Sequence, residues 1–450
     1  MDTRLSLPIP CPRQAFVFGV ALSLLLSSVA ATTVASSDPG RPVRGVAARS
    51  AGGGGAEGSD GVRDRIALGM TMSGGALATL DDFSASIGGQ RPNLWSISVK
   101  WGSDSGRDFP TARAEGLAKR GVVPFVWWTP TDPETRDDAA FCYKRIVDGD
   151  HDAYIRRFAR DAKAYGRLVL LRFAHEFNGQ FFRWAVEGPI GHEVQDFKEA
   201  WRHIWRIFQQ EGASNVRFVW SVVKRRCTSG CNPYREYYPG DRFVDYLGFS
   251  SYNWGLQQGR WTGMAQTYRR VVQHLSAISD KPMIVSETGS GPEGGDKAAW
   301  IAEGYLEVIR DFPGIVAIVY TNVDLRNIGH PDWSLTSSSG ALDAYATISA
   351  MRVFSGRLEL AGIRSRQAAR RTSRLTGKAA AEATRRSTDR DGAPARRSRV
   401  QAGDDRSSQT RPQPVAKRKA TTTRKSTDDA KPVGTLDTLA RTAGTTEEPA

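Results

Sequence analysis

Eight short apolar runs of β type, alternating with amphipathic helical stretches, predict an α/β chain folded as a (β/α)8 TIM barrel with a disordered basic C-terminal tail. Two further observations support this. The apolar runs are nearly continuous rather than alternating, as strands are when a parallel sheet is covered on both faces. All twelve tryptophans lie between Trp95 and Trp333, and no Phe, Tyr or Trp follows Phe354, so only the middle of the 450-residue chain can build a large core.

In order along the chain, strands are expected at residues 66–70, 94–99, 122–128, 168–173, 216–221, 246–250, 283–286 and 315–320. Apolar residues at helical spacing predict helices over 154–165, 196–210, 264–279 and 296–311. No glycine-rich dinucleotide fingerprint follows the first strand, which argues against an open doubly wound sheet.

The ends of the chain read differently. Residues 1–35 have the form of a signal peptide: Arg4 and Arg13 precede an apolar run from Ala15 to Leu26, then small residues around Ala30 and Ala35. Export follows as an expectation, to a secreted, periplasmic or cell-envelope location, with no transmembrane segment after cleavage. Residues 36–61 read as a Gly-rich linker, 62–355 as the barrel and 356–450 as the tail. The formal net charge is +14, but the tail holds 22 Lys and Arg against 11 Asp and Glu, so most of the excess lies there and the core is close to neutral. A basic tail without aromatics suits a solvated extension or an anionic envelope or extracellular polymer as partner, rather than a specific nucleic acid. Cys227 and Cys231 are spaced to close a small disulfide loop, which would leave Cys142 unpaired.

The chemistry points to carboxylates. Glu176 follows the run 168–173, and Glu287 ends the run that begins at Pro282, so a barrel would bring both to one mouth. Two carboxyl groups across a cleft are the minimal machinery for cleaving a glycosidic bond. His175-Glu176 is not a zinc-protease helix, because Gly179 stands where the second histidine is needed. Alternation along the strand would set Arg172, Ala174 and Glu176 on one face, with the arginine placed to hold a nearby carboxylate ionised. Aromatic residues follow several strand ends: Trp127 and Trp128, Phe181, Phe182 and Trp184, Tyr252 and Trp254, and Trp333. Such rings stack on the apolar faces of sugars. No spacing implies a metal or an organic cofactor.

The segment Arg172-Phe-Ala-His-Glu-Phe-Asn-Gly179, with Trp184 downstream, resembles the acid/base signature of glycoside hydrolase family 26, the β-mannanase family. Trp128-Thr-Pro130, Tyr252-Asn253, the strand ending in Glu287, and Asp332-Trp333 match as well. The resemblance implies a retaining endo-β-glycosidase on a (β/α)8 barrel, with a polysaccharide as its partner. It implies Glu176 as acid/base and Glu287 as nucleophile. His175, Asn178, Trp128, Phe181, Trp184, Tyr252 and Trp333 would bind or frame the sugar, Tyr252 holding the nucleophile and Trp333 forming the floor. Phe181 stands where mannan-cleaving members usually carry tryptophan, and Ser250 where they usually carry aspartate. The substrate is thus open between β-mannan, mixed-linkage β-glucan and an exopolysaccharide. The alternative from another class is a non-catalytic glycan-binding barrel anchored at the envelope by the tail.

Overall fold

The computed structural model describes residues 65–359, apart from 75, 104–105, 135–137 and 225–232. The expected signal peptide, linker and tail, and the Cys227–Cys231 loop, lie outside the described residues, except that 356–359 are described.

Eight parallel strands close a barrel: β1 (Ala67–Met72), β2 (Leu94–Lys100), β3 (Val123–Thr129), β4 (Val169–Phe173), β5 (Val216–Val223), β6 (Tyr246–Ser250), β7 (Met283–Thr288) and β8 (Ile315–Asn322), with β1 paired to β8. The helices around it are α1 (Leu77–Ser86), α2 (Thr111–Lys119), α3 (Tyr143–Val147), α4 (Asp152–Tyr165), α5 (Val194–Glu211), α6 (Met264–Ser276), α7 (Lys297–Asp311) and α8 (Ala341–Ala350). Two of them, α3 and α4, lie between β3 and β4. Between β5 and β6 only short 3₁₀ turns occur among the described residues. The main departure from the expected strands is β7, which runs on through Thr288 and so contains Glu287 rather than preceding it.

Helix faces follow from spacing. In α4, Ile155, Phe158, Ala159 and Ala162 recur at the helical period and are buried, and the helix stops at Gly166 in the left-handed region (φ 70°), which glycine tolerates without a Cβ penalty. The N-cap Asp296 of α7 accepts a hydrogen bond from Ala299 N at 2.9 Å.

The strands divide the core into two shells. On β4, Val169, Leu171 and Phe173 face the helices, while Leu170, like Leu168 just before the strand, faces the barrel axis. On β3, Val126 and Trp128 point outward, whereas Phe125 and Trp127 point inward. Period-2 alternation allows only one of two adjacent tryptophans into the interior.

Cys142 is buried just before α3 and is disulfide-bonded, which overturns the expectation that it stands unpaired. Disulfide pairing follows proximity in the fold and not spacing in the sequence.

The chain returns to its own start at the bottom of the barrel. Gly356 N donates to Ile66 O at 3.0 Å and Leu358 N to Asn93 Oδ1 at 2.9 Å. The Leu358 side chain is buried in the inner shell with Ala67, Leu94 and Phe125, so three residues assigned to the tail belong to the barrel. We predict that Leu358→Ala lowers the unfolding free energy by about 2–4 kcal/mol, the usual cost of truncating a buried leucine, measured by urea denaturation of the full chain. An unchanged midpoint would mean that the segment does not close the barrel.

Candidate active site

The loop after β4 is built from strained backbone. Ala174 (φ 43°) and Glu176 (φ 55°) are the non-glycine residues with positive φ among those described. Such conformations cost on the order of 1–3 kcal/mol each and persist only when their surroundings over-determine them. Here Ala174 N donates to Trp128 O at 3.0 Å and Glu176 N to Ser221 O at 2.9 Å. Asn178 completes the clamp: its amide donates to Val223 O and accepts from Val223 N, both at 2.9 Å.

Simple alternation therefore ends at Phe173. Ala174 turns into the outer core instead of sharing a face with Arg172, and the left-handed step at residue 176 brings its carboxyl back to the mouth.

At the centre lies a buried ion pair. Arg172 Nη1 donates to Glu287 Oε1 at 2.5 Å, with both side chains wholly buried. Its other terminal nitrogen donates to Ser250 Oγ at 2.8 Å, and the guanidinium lies 4.9 Å from the centre of the Trp127 ring. The Ser250 hydroxyl is 3.2 Å from Glu287 Oε1 and also reaches Glu176. Tyr252 OH donates to Glu287 Oε2 at 2.8 Å and lies 2.9 Å from Thr321 Oγ1. Burial and the Glu287 charge push the Tyr252 phenol well up, so it stays a donor. Glu287 thus has two full donors, Arg172 and Tyr252, one of them a cation, and shares the single Ser250 proton with Glu176.

Glu176 is held differently. Burial first and the charge of Glu287 second push its carboxyl up to about 7, against Arg172 and Ser250. Two carboxyl groups of one site are thereby set apart, one proton-holding and one surrounded by donors. Burial, with Arg172, keeps His175 well below the usual imidazole range and hence neutral. Its ring lies between Trp127 (5.2 Å), Phe182 (4.9 Å) and Trp184 (5.1 Å). His175 Nδ1 and Trp127 Nε1 are buried and have no hydrogen-bond partner among the described residues.

The expected sugar contacts divide into two groups. Trp333 is itself only 1% exposed and packs against Tyr252 at 4.7 Å, the donor to Glu287, and against Trp254 at 5.3 Å, whereas Phe181 is 40% exposed on the loop after β4. Trp128 is not at the mouth: it is fully buried outside the barrel, stacked on Phe158 at 4.7 Å, with Nε1 donating to Tyr154 OH. Its neighbour Trp127 takes the inward position, as alternation from Phe125 signals. Asn178 has both ends of its amide engaged by Val223, so it pins the loop and does not face a ligand. Trp184 is buried, stacked on Phe182 at 4.4 Å, with Nε1 donating to His175 O at 2.7 Å; it props the histidine rather than a sugar. Thr321 carried no sequence signal, because β8 reads as an ordinary apolar strand. Among the described residues, no group of three or more His, Cys, Asp or Glu is placed to hold a metal ion.

Comparison with known proteins locates these features. The model of glycosyl hydrolase family 26 matches residues 138–288, which include both glutamates. Endoglucanase H of Acetivibrio thermocellus is 34% identical over 261 residues, covering 57% of this chain and 27% of that protein. Beta-1,3-xylanase TXYA of a Vibrio species is 26% identical over 147 residues, covering 32% of this chain and 28% of its own length. Mannan endo-1,4-beta-mannosidase A and B of Caldalkalibacillus mannanilyticus is 26% identical over 187 residues, covering 40% and 31%. The chain spans roughly a quarter to a third of the length of these relatives. Over residues 138–288 the chain is thus similar to glycosyl hydrolase family 26, and its barrel brings the two glutamates of that segment to one mouth.

Proposed function

We propose that this chain is an exported, retaining endo-β-glycosidase, and that its substrate is a β-glucan in preference to β-mannan. The observation that carries the reading is the unequal treatment of two buried carboxyl groups in one mouth. Glu176 holds a proton up to about pH 7, whereas Glu287 faces Arg172, Ser250 and Tyr252.

In this reading the Glu287 carboxylate attacks the anomeric carbon while Glu176 gives its proton to the leaving glycosidic oxygen. The sugar is then an ester of Glu287. Glu176, now a carboxylate, takes a proton from water; the water oxygen attacks the anomeric carbon and Glu287 leaves. Arg172 and Tyr252 stabilise the returning carboxylate, and Trp333 offers an apolar face to the sugar. Neutral His175 and the indole N–H of Trp127 offer polar contacts to its hydroxyls.

The preference for glucan rests on two supports. The relative that matches over 261 residues bears the name endoglucanase, and it matches this chain over more residues than the mannan-cleaving protein does, at 187. Ser250 and Phe181 also stand where the mannan-cleaving pattern resembled above has aspartate and tryptophan. Export is supported by the charge, apolar run and small residues of the amino-terminal segment.

Four results are expected. On a panel of mixed-linkage β-glucan, β-mannan, β-1,3-xylan and exopolysaccharide, the full chain releases short oligosaccharides, fastest from β-glucan, with the β-anomer first in time-resolved NMR. Glu176→Ala lowers turnover by about 10²–10⁴-fold, the typical contribution of general acid–base chemistry, and Glu287→Ala, which removes the nucleophile, lowers it at least as much. Retention of undigested polymer by the wild type on every substrate would instead identify a binding protein. Because Glu176 must be protonated in the first step, kcat/KM falls as pH rises through about 7. Ser250→Asp adds a negative charge beside both carboxyls, raises the Glu176 pKa further and moves that alkaline limb upward in the pH–rate profile; a limb that stays in place would exclude Glu176 as the titrating acid.

A further inference from the structure

The Trp333 floor is carried by the loop between β8 and α8, and that loop is gathered around a buried cation that the proposed reaction does not use. Lys297, the first residue of α7, is wholly buried. Its ammonium donates to Ser334 O at 2.7 Å, to Ser337 Oγ at 2.8 Å and, more weakly, to Asp332 O at 3.4 Å. Asp332 and Ser334 are the residues on either side of Trp333, so one ammonium brackets the point where the ring is attached. Asp332 Oδ1 also accepts from Ser334 N at 2.9 Å and from Ser334 Oγ at 2.6 Å, which closes the turn on itself.

The placement runs against two general preferences. A cation at the first turn of a helix meets the positive end of the helix dipole, and an ammonium taken out of water loses its hydration. A residue needed only for packing here would be apolar. What the ammonium gains is the set of loop oxygens, and those oxygens belong to the turn that presents Trp333.

We propose that Lys297 is a positioning residue for sugar binding: by holding the carbonyls before and after Trp333, its ammonium sets the aromatic floor against Tyr252 and next to the two carboxyl groups. The inference rests on the β-glycan hydrolase reading above, and it adds to the determinants of affinity a residue whose hydrogen bonds go to the Trp333 loop.

The charge on Lys297 is also close to titrating. Burial pushes its pKa down to about 8, with Asp332 acting in the opposite direction. The charged groups around it are few. The Asp332 carboxylate faces it from the loop, Arg326 approaches that carboxylate from outside at 3.8 Å, and Asp296 on its own element caps α7. Below about pH 8 the cation makes its donations with a full charge; above it a neutral amine keeps fewer N–H groups and loses the charge. Affinity for sugar is therefore lost as pH rises through that value.

The test uses the full chain carrying Glu176→Gln, which binds without turnover, and a β-glucan hexasaccharide. Binding is followed by calorimetry and by tryptophan quenching from about pH 6 to about pH 9.5. The expected Kd rises roughly tenfold with a midpoint near pH 8. Adding Lys297→Met gives the weaker Kd at every pH, without the midpoint. Lys297→Gln, which keeps a donor, serves if the methionine variant loses its near-UV circular dichroism, and it too lacks the midpoint. A flat profile with Lys297 present, or the same midpoint in its absence, overturns the proposal. Failure of Glu176→Gln to bind any β-glycan oligosaccharide at any pH overturns the hydrolase reading, and the proposal with it.

Discussion

The Arg172–Glu287 pair is the constraint around which the rest of the site is organised. An ion pair with both partners wholly buried has given up its hydration, and the attraction between the charges repays this only when the remaining donors and acceptors are met. Ser250, Tyr252 and the face of Trp127 meet most of them. The pair in turn creates the local field that the other groups feel: Glu287 helps to raise Glu176, and Arg172 helps to keep His175 neutral. Burial is the larger cause of both shifts, and this one interaction deep in the barrel adds to it at the mouth.

Around that pair the scaffold is over-determined. The two left-handed residues after β4 are fixed by backbone bonds to β3 and β5, and Asn178 ties the same loop to Val223. The interior nearby is filled by short side chains. A Cβ on Gly248 would lie 2.6 Å from Ser286 Oγ and 2.9 Å from Ser221 Cβ, so glycine is required where β6 passes between these serines. Strained loop, buried charge and close packing occur together, as they do where function and not stability dictates local structure.

Much of this was legible from residue order. Strands that bury both faces give long apolar runs, and helices that bury one give period 3.6, so the barrel could be read directly. The pair Glu176 and Glu287 could be read because each follows such a run. Less could be read where direction mattered. Adjacent Trp127 and Trp128 are chemically identical, and only counting alternation from Phe125 separates the inward ring from the outward one. Asn178 and Trp184 sit within a family-like signature, yet their polar atoms are engaged by backbone, which spacing does not reveal. Thr321, and the disulfide at Cys142, depend on contacts between segments distant in sequence.

The return of the chain at the barrel's lower pole has a further consequence. Arg65 and Ile66 meet Ser355 and Gly356 there, while the carboxyl pair opens at the opposite pole. The two ends of the barrel are thus neighbours, and any module fused to either end is tethered on the side away from arriving polymer. Circular permutation across this junction needs only a short bridge, and it would free new termini elsewhere without disturbing access to the mouth.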